Sequence, residues 1–150
     1  MGYRSDVGYV IVFKASGEDF PLKHEKAFAE FSHFVEHLRT YRETCSEEFK
    51  YMQIDKDKLI ISYQAEHVKW YEDYPSVQWH NNLLKKVTTY ETGNYRFLRV
   101  GEEFDDVEQV THDPTAHMWD YIDVRREVVI EHIGDDLFYV LKDEEETTDE

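Results

Sequence analysis

The chain has 150 residues, 41% hydrophobic and 33% charged, with a formal net charge of -16. This is enough apolar material for one core and too little for two independent ones, and no apolar run approaches the roughly 20 residues that span a bilayer. One cysteine, Cys45, leaves no internal disulfide, and Met1 precedes polar residues rather than a basic and then apolar leader, so a reducing cytoplasm is expected.

The first predicted element is a strand, Val7 to Lys14, whose Gly8-Tyr-Val-Ile-Val-Phe run is β-branched and aromatic and ends at Ser16 and Gly17. A helix follows, with Asp19 to cap it and Pro21 in its first turn. Along it Ala27, Phe28, Phe31, Phe34, Val35, Leu38 and Tyr41 recur at three- and four-residue steps. Phe49 to Ile54 and Leu59 to Glu66 read as a hairpin around Asp55-Lys-Asp-Lys. A second helix starts near Pro75 with Val77, Leu83, Leu84, Val87 and Tyr90 on its apolar side, and Gly93 stops it.

Beyond Gly93 the pattern is all strand: Tyr95 to Val100, Val107 to His112, Trp119 to Glu131 and Leu137 to Leu141, separated by turn-type clusters. In the long third stretch Ile122, Val124, Val128 and Ile130 alternate with Asp123, Arg125, Glu127 and Glu131. Residues 143–150 have no apolar content and read as a disordered acidic tail behind a single domain of residues 1–142. The order β-α-β-β-α-β predicts an α+β fold of the ferredoxin-like, split βαβ type, an antiparallel sheet extended by a C-terminal meander or hairpin.

Charge is concentrated in the last third. Residues 101–150 hold 18 acids against Arg125, Arg126 and Lys142, whereas residues 1–100 hold 15 acids against 14 bases. A neutral body with a negative third implies a surface that attracts something positive. The candidate partner-binding set comprises Glu102, Glu103, Asp105, Asp106, Glu108, Asp120, Asp123, Glu127 and Glu131, all on or beside predicted strands. Carboxylates spaced along strands can imitate nucleic-acid phosphates and enter a basic groove with fast, salt-sensitive association. The plainer reading is a solvated, solubilising face.

Met1-Gly-Tyr-Arg-Ser-Asp-Val7, Val68-Lys-Trp-Tyr-Glu-Asp-Tyr-Pro-Ser-Val77 and Tyr95-Arg-Phe-Leu-Arg-Val-Gly-Glu-Glu103 resemble stretches of a group of small bacteriophage-encoded proteins. The resemblance covers short motifs in the first two thirds and implies a phage protein made in the bacterial cytoplasm. It supplies no mechanism. Small acidic phage proteins commonly inhibit a basic host or defence protein, which makes a nucleic-acid-handling protein the expected partner.

Two other constellations carry chemistry. Trp70, Tyr71, Tyr74 and Trp79 crowd a strand–helix junction and, with Arg96 and Arg99, could wall a pocket for a flat, nucleotide-type ligand. The same rings could instead plug the end of the sheet. His33-Phe-Val-Glu36-His37 spells H-x-x-E-H, a spacing that sets two histidines one helical turn apart for zinc, with the glutamate to activate water. The helix pattern turns Phe28, Phe31, Phe34, Val35 and Leu38 inward and leaves both histidines on the watery face. A surface pair of neutral histidines is therefore expected, with no metal and no cofactor.

Direct nucleic-acid binding is disfavoured. Leu59-Ile-Ile-Ser-Tyr-Gln-Ala-Glu66 lacks the basic-aromatic signature of an RNA-recognition strand, and Lys85, Lys86, Arg96 and Arg99 form only a modest basic patch against the overall field. No glycine-rich phosphate loop or serine nucleophile elbow is present, so no reaction is named.

Overall fold

The computed structural model describes residues 2–14, 22–44, 46–103, 105–113, 122–124, 128–130, 135–137 and 140–141. Strand β1 (Ser5–Phe13) lies at the centre, because its residues are apolar on both sides. Helix α1 (Leu22–Arg39), the short helix α2 (Ser46–Phe49), β2 (Met52–Asp55), β3 (Ile60–Val68), helix α3 (Pro75–Val87), β4 (Gly93–Val100) and β5 (Val107–Thr111) follow in order. Three short strands complete the described chain: β6 (Ile122–Val124), β7 (Val128–Ile130) and β8 (Asp135–Asp136).

The result is an α+β fold. Six strands form one sheet in the order β5-β4-β1-β3-β2-β8, with every neighbouring pair antiparallel. Val7, Tyr9, Ile11 and Phe13 of β1 enter the main core with Ala27, Phe31, Phe34, Val35 and Leu38 of α1 and Leu83, Leu84 and Val87 of α3. Val10 and Val12 enter a second cluster with Ile60, Leu98 and Ile122. Burial on both faces explains why β1 reads as a continuous apolar run rather than as alternation. Each fully buried large side chain contributes about 1.5–3 kcal/mol, so the helix-side core, with the larger set, dominates stability.

Several boundaries differ from the sequence expectation, each for a local reason. Trp119 to Glu131 was expected as one strand, but β6 and β7 pair antiparallel, with Ile122 opposite Ile130 and Val124 opposite Val128. The alternation survives because a hairpin keeps the even positions paired. Leu137 to Leu141 was expected as a strand, yet Leu137, Val140 and Leu141 are helical, and Leu137 and Leu141 are buried in the main core. A short apolar run with i, i+4 spacing serves either state. Phe49 ends α2 instead of opening a strand.

Phe28, expected inward, is 55% exposed. The second helix ends at Val87, where the Thr88 N–H bonds the Lys85 carbonyl and the Thr89 N–H bonds the Lys86 carbonyl, so Tyr90 lies beyond it. Gly93 opens β4 rather than stopping a helix, since a Cβ there would sit 2.5 Å from the Val87 carbonyl oxygen. Among the described residues no helix is long and apolar enough to cross a membrane.

Candidate functional site

Three segments far apart in sequence meet at one end of the sheet: the start of β1, the chain after β3, and the turn from β4 to β5. Tyr3 joins them. Its backbone N–H donates to the Tyr71 hydroxyl at 2.7 Å, its own hydroxyl donates to Asp106 Oδ2 at 2.6 Å, and the Tyr3 hydroxyl oxygen accepts the Glu103 N–H at 3.0 Å. Beside it the Arg4 N–H bonds Glu102 Oε1 at 2.8 Å. The approach is so close that a Cβ on Gly101 would overlap both the Asp106 carboxylate and the Tyr3 hydroxyl.

Pairing of β1 with β3 is irregular here, since Ser5 stands opposite Val68 but Val7 opposite Ala65, which leaves an extra residue in β3. His67 takes that strain with a φ of 54°. Its N–H is held by Asp6 Oδ1 at 3.0 Å and its carbonyl by Arg4 at 3.1 Å.

Arg99 organises the acids. It bonds Asp106 Oδ1 at 2.7 Å and Glu108 Oε1 at 3.1 Å, and reaches the buried Ser5 hydroxyl at 3.1 Å. Hydrogen bonds from Arg99, then from Tyr3, hold the Asp106 carboxyl at a pKa of about 2. The same partners raise the Arg99 pKa above its ordinary value, first through Asp106. The turn itself is tied by Gly101 N–H to Asp106 carbonyl at 2.8 Å and Asp106 N–H to Glu103 carbonyl at 3.0 Å. Glu102, Glu103, Asp105 and Glu108 are exposed. They are mounted on a braced turn and the first half of β5. Of the remaining predicted acids, Asp123 is a β6 residue opposite Val129, while Asp120, Glu127 and Glu131 lie outside the described residues, as does the tail 143–150.

The aromatic set divides between places. Trp70 packs on Tyr63, His80 and Phe97, and Trp79 on Tyr41, Phe49 and His80. Tyr71 and Tyr74 meet edge to face, 5.1 Å between centroids. Arg99 is committed to the acids. Arg96 bonds Thr111 Oγ1 and Gln109 Oε1 at 2.8 Å and the Ile122 carbonyl at 3.4 Å, on the hairpin side of the sheet, away from Trp70.

Sequence reasoning missed the buried polar centre of the helix side. His80 is 0% exposed, with Nδ1 2.7 Å from the Tyr9 hydroxyl and Nε2 2.8 Å from Glu48 Oε2. The Tyr63 hydroxyl donates to the same carboxylate oxygen at 3.3 Å. Burial raises the pKa of Tyr9 and of Tyr63, so both remain protonated, and it lowers that of His80, against the opposing pull of Glu48. Neutral His80 then accepts from Tyr9 and donates to Glu48, and all polar atoms are satisfied. The available signal was spacing, because His80 falls three residues after Val77 and three and four before Leu83 and Leu84. Glu48, in a four-residue helix, had none.

The H-x-x-E-H residues point to different neighbours. His33 Nδ1 is 2.6 Å from the Tyr90 hydroxyl, Glu36 pairs with Arg39, and His37 packs edge to face on Tyr41. His33 is exposed as expected, and Glu36 is exposed too, but His37, also expected on the watery face, is half-buried, and its pKa is lowered by that burial. Among the described residues no three histidine, cysteine, aspartate or glutamate side chains are grouped so as to hold a metal ion. No known protein family, curated protein or solved structure matches the chain.

Proposed function

We propose that this chain is a non-catalytic phage accessory protein that binds and blocks a basic, nucleic-acid-handling host or defence protein in the bacterial cytoplasm. On this reading β4-β1-β3-β2 with α1 and α3 is a ferredoxin-like split βαβ unit, and β5 with the β6–β7 hairpin is its extension. Binding runs through the acidic end of the sheet, in partial imitation of a phosphate backbone.

The observation that supports the reading is the bracing of the acidic turn. Glu102, Glu103 and Asp105 are exposed on a loop fixed by Tyr3, Arg4 and Arg99. Fixed spacing serves recognition, whereas a solubilising surface needs only charge. The three stretches that resemble phage proteins converge on this end, which is consistent with their forming one working surface.

Capture of a partner from bacterial lysate, followed by competition with double-stranded DNA, tests the proposal. A basic protein displaced by DNA and by salt is the expected result. A partner that binds alongside DNA, or equally well in high salt, overturns it.

A further inference from the structure

We infer that the outer edge of β5 is a strand-addition site for an extended, basic segment of the partner. The inference rests on the acidic-surface reading above and specifies how that partner is held. β5 is an edge of the six-stranded sheet, and its five residues pair with β4 without a bulge, from Val100 opposite Val107 to Arg96 opposite Thr111. Gly101 N–H to Asp106 carbonyl and His112 N–H to Tyr95 carbonyl set the alternation, so Glu108 and Val110 bond inward to β4. The Gln109 amide and carbonyl, the Thr111 amide and the Val107 carbonyl consequently face outward. Among the described residues no strand pairs with them.

Natural sheets blunt such an edge with lysine, proline, bulges or brevity. The opposite edge follows that rule, since β8 has two residues. β5 does not: its sequence is Val-Glu-Gln-Val-Thr, and Val107 and Val110 are 39% and 40% exposed. It is also braced. Arg96 holds the Gln109 and Thr111 side chains and Arg99 holds Glu108, so the edge keeps its shape with little burial of its own. A pre-shaped edge reduces the ordering cost of binding.

Charge selects the occupant. Asp106 and Glu108 lie on one face of the edge, Val107 on the other, and the exposed Glu102, Glu103 and Asp105 flank one end. A strand alternating basic and apolar residues would set lysines beside the carboxylates and an apolar side chain beside Val107. A second copy of this chain would instead bring together two proteins that each carry -16.

The test uses the full chain labelled for amide exchange and two peptides of equal charge, Lys-Val-Lys-Val-Lys-Val-Lys and its proline analogue Lys-Val-Lys-Pro-Lys-Val-Lys. The first should bind about tenfold more tightly and slow exchange at Gln109 and Thr111, with Glu108 and Val110 already protected by β4. Gln109→Pro, which removes an outward N–H together with the side-chain contact to Arg96, should abolish the preference, whereas Gln109→Ala, which removes that contact alone, should keep it, and continued protection at Glu108 and Val110 would show that β5 is still paired. Equal binding of the two peptides overturns strand addition and leaves the acidic-surface reading standing. Binding of neither overturns both. Protection at Gln109 that grows with protein concentration and no peptide would assign the edge to a second copy, and also overturns the proposal.

Discussion

Tyr3 and Asp106 are 103 residues apart in sequence and 2.6 Å apart in space, hydroxyl to carboxylate. That contact ties the start of the central strand to the acidic turn. Through the Glu103 N–H and Tyr71 it also fixes the loop after β3, so the most acidic part of the described surface is built into the frame of the sheet.

Tyr3→Phe should test that brace. It removes a donor to a carboxylate and an acceptor for a backbone N–H, so the urea midpoint should fall and amide exchange at Glu103 should quicken. Gly101→Ala should cost roughly 1–3 kcal/mol, because the new Cβ pushes the Asp106 and Tyr3 oxygens apart. In the double variant the losses should be less than additive, since both act on one contact.

Stability should depend on pH through His80. Burial lowers its pKa below the ordinary 6.5, so in acid the unfolded chain takes up a proton before the folded one does. Its contribution is complete above pH 6.5 and declines as the pH falls below that value. Urea midpoints measured from pH 8 to 5 should show this decline. His80→Gln should flatten it, leaving a residual slope from His37, whose pKa is also lowered, while destabilising the protein by roughly 1–3 kcal/mol through the partners left on Tyr9 and Glu48. The Asp106 contribution has the same sign but falls in the carboxylate range, because its folded-state pKa is also lowered. It is present above pH 3.8 and lost as the pH falls through about 2.

Leu137→Ala should destabilise the fold by about 2–5 kcal/mol, because Leu137 is 0% exposed within the main core. Thermal or urea unfolding would check it. A loss below about 0.5 kcal/mol, as for an exposed position, would show that this segment is not docked.

What was legible in the sequence is what depends on near neighbours. The α1 stripe, the α3 stripe and the β2–β3 hairpin follow from spacing, and their boundaries shift by a few residues where caps and turns decide. The β6–β7 hairpin was hidden because Arg125-Arg126-Glu127, between its strands, contains no turn-forming residue. Phe28 shows the limit of periodicity, since α1 carries more apolar residues than its buried face accommodates. Candidate acids could be named from charge alone, but the Tyr3 brace and the Glu48–His80–Tyr9 chain depend on contacts across 103, 32 and 71 residues, which no local pattern encodes.

The most direct measurement of the central claim is the association rate of the captured partner with the parent protein and with the combined Glu102→Gln, Glu103→Gln, Asp105→Asn variant, across a range of salt. These side chains are exposed, so folding and stability should be unchanged. Association should slow by about tenfold at low salt, and its salt dependence should flatten. An unchanged rate and an unchanged salt slope would contradict the account and move the functional surface away from this end of the sheet.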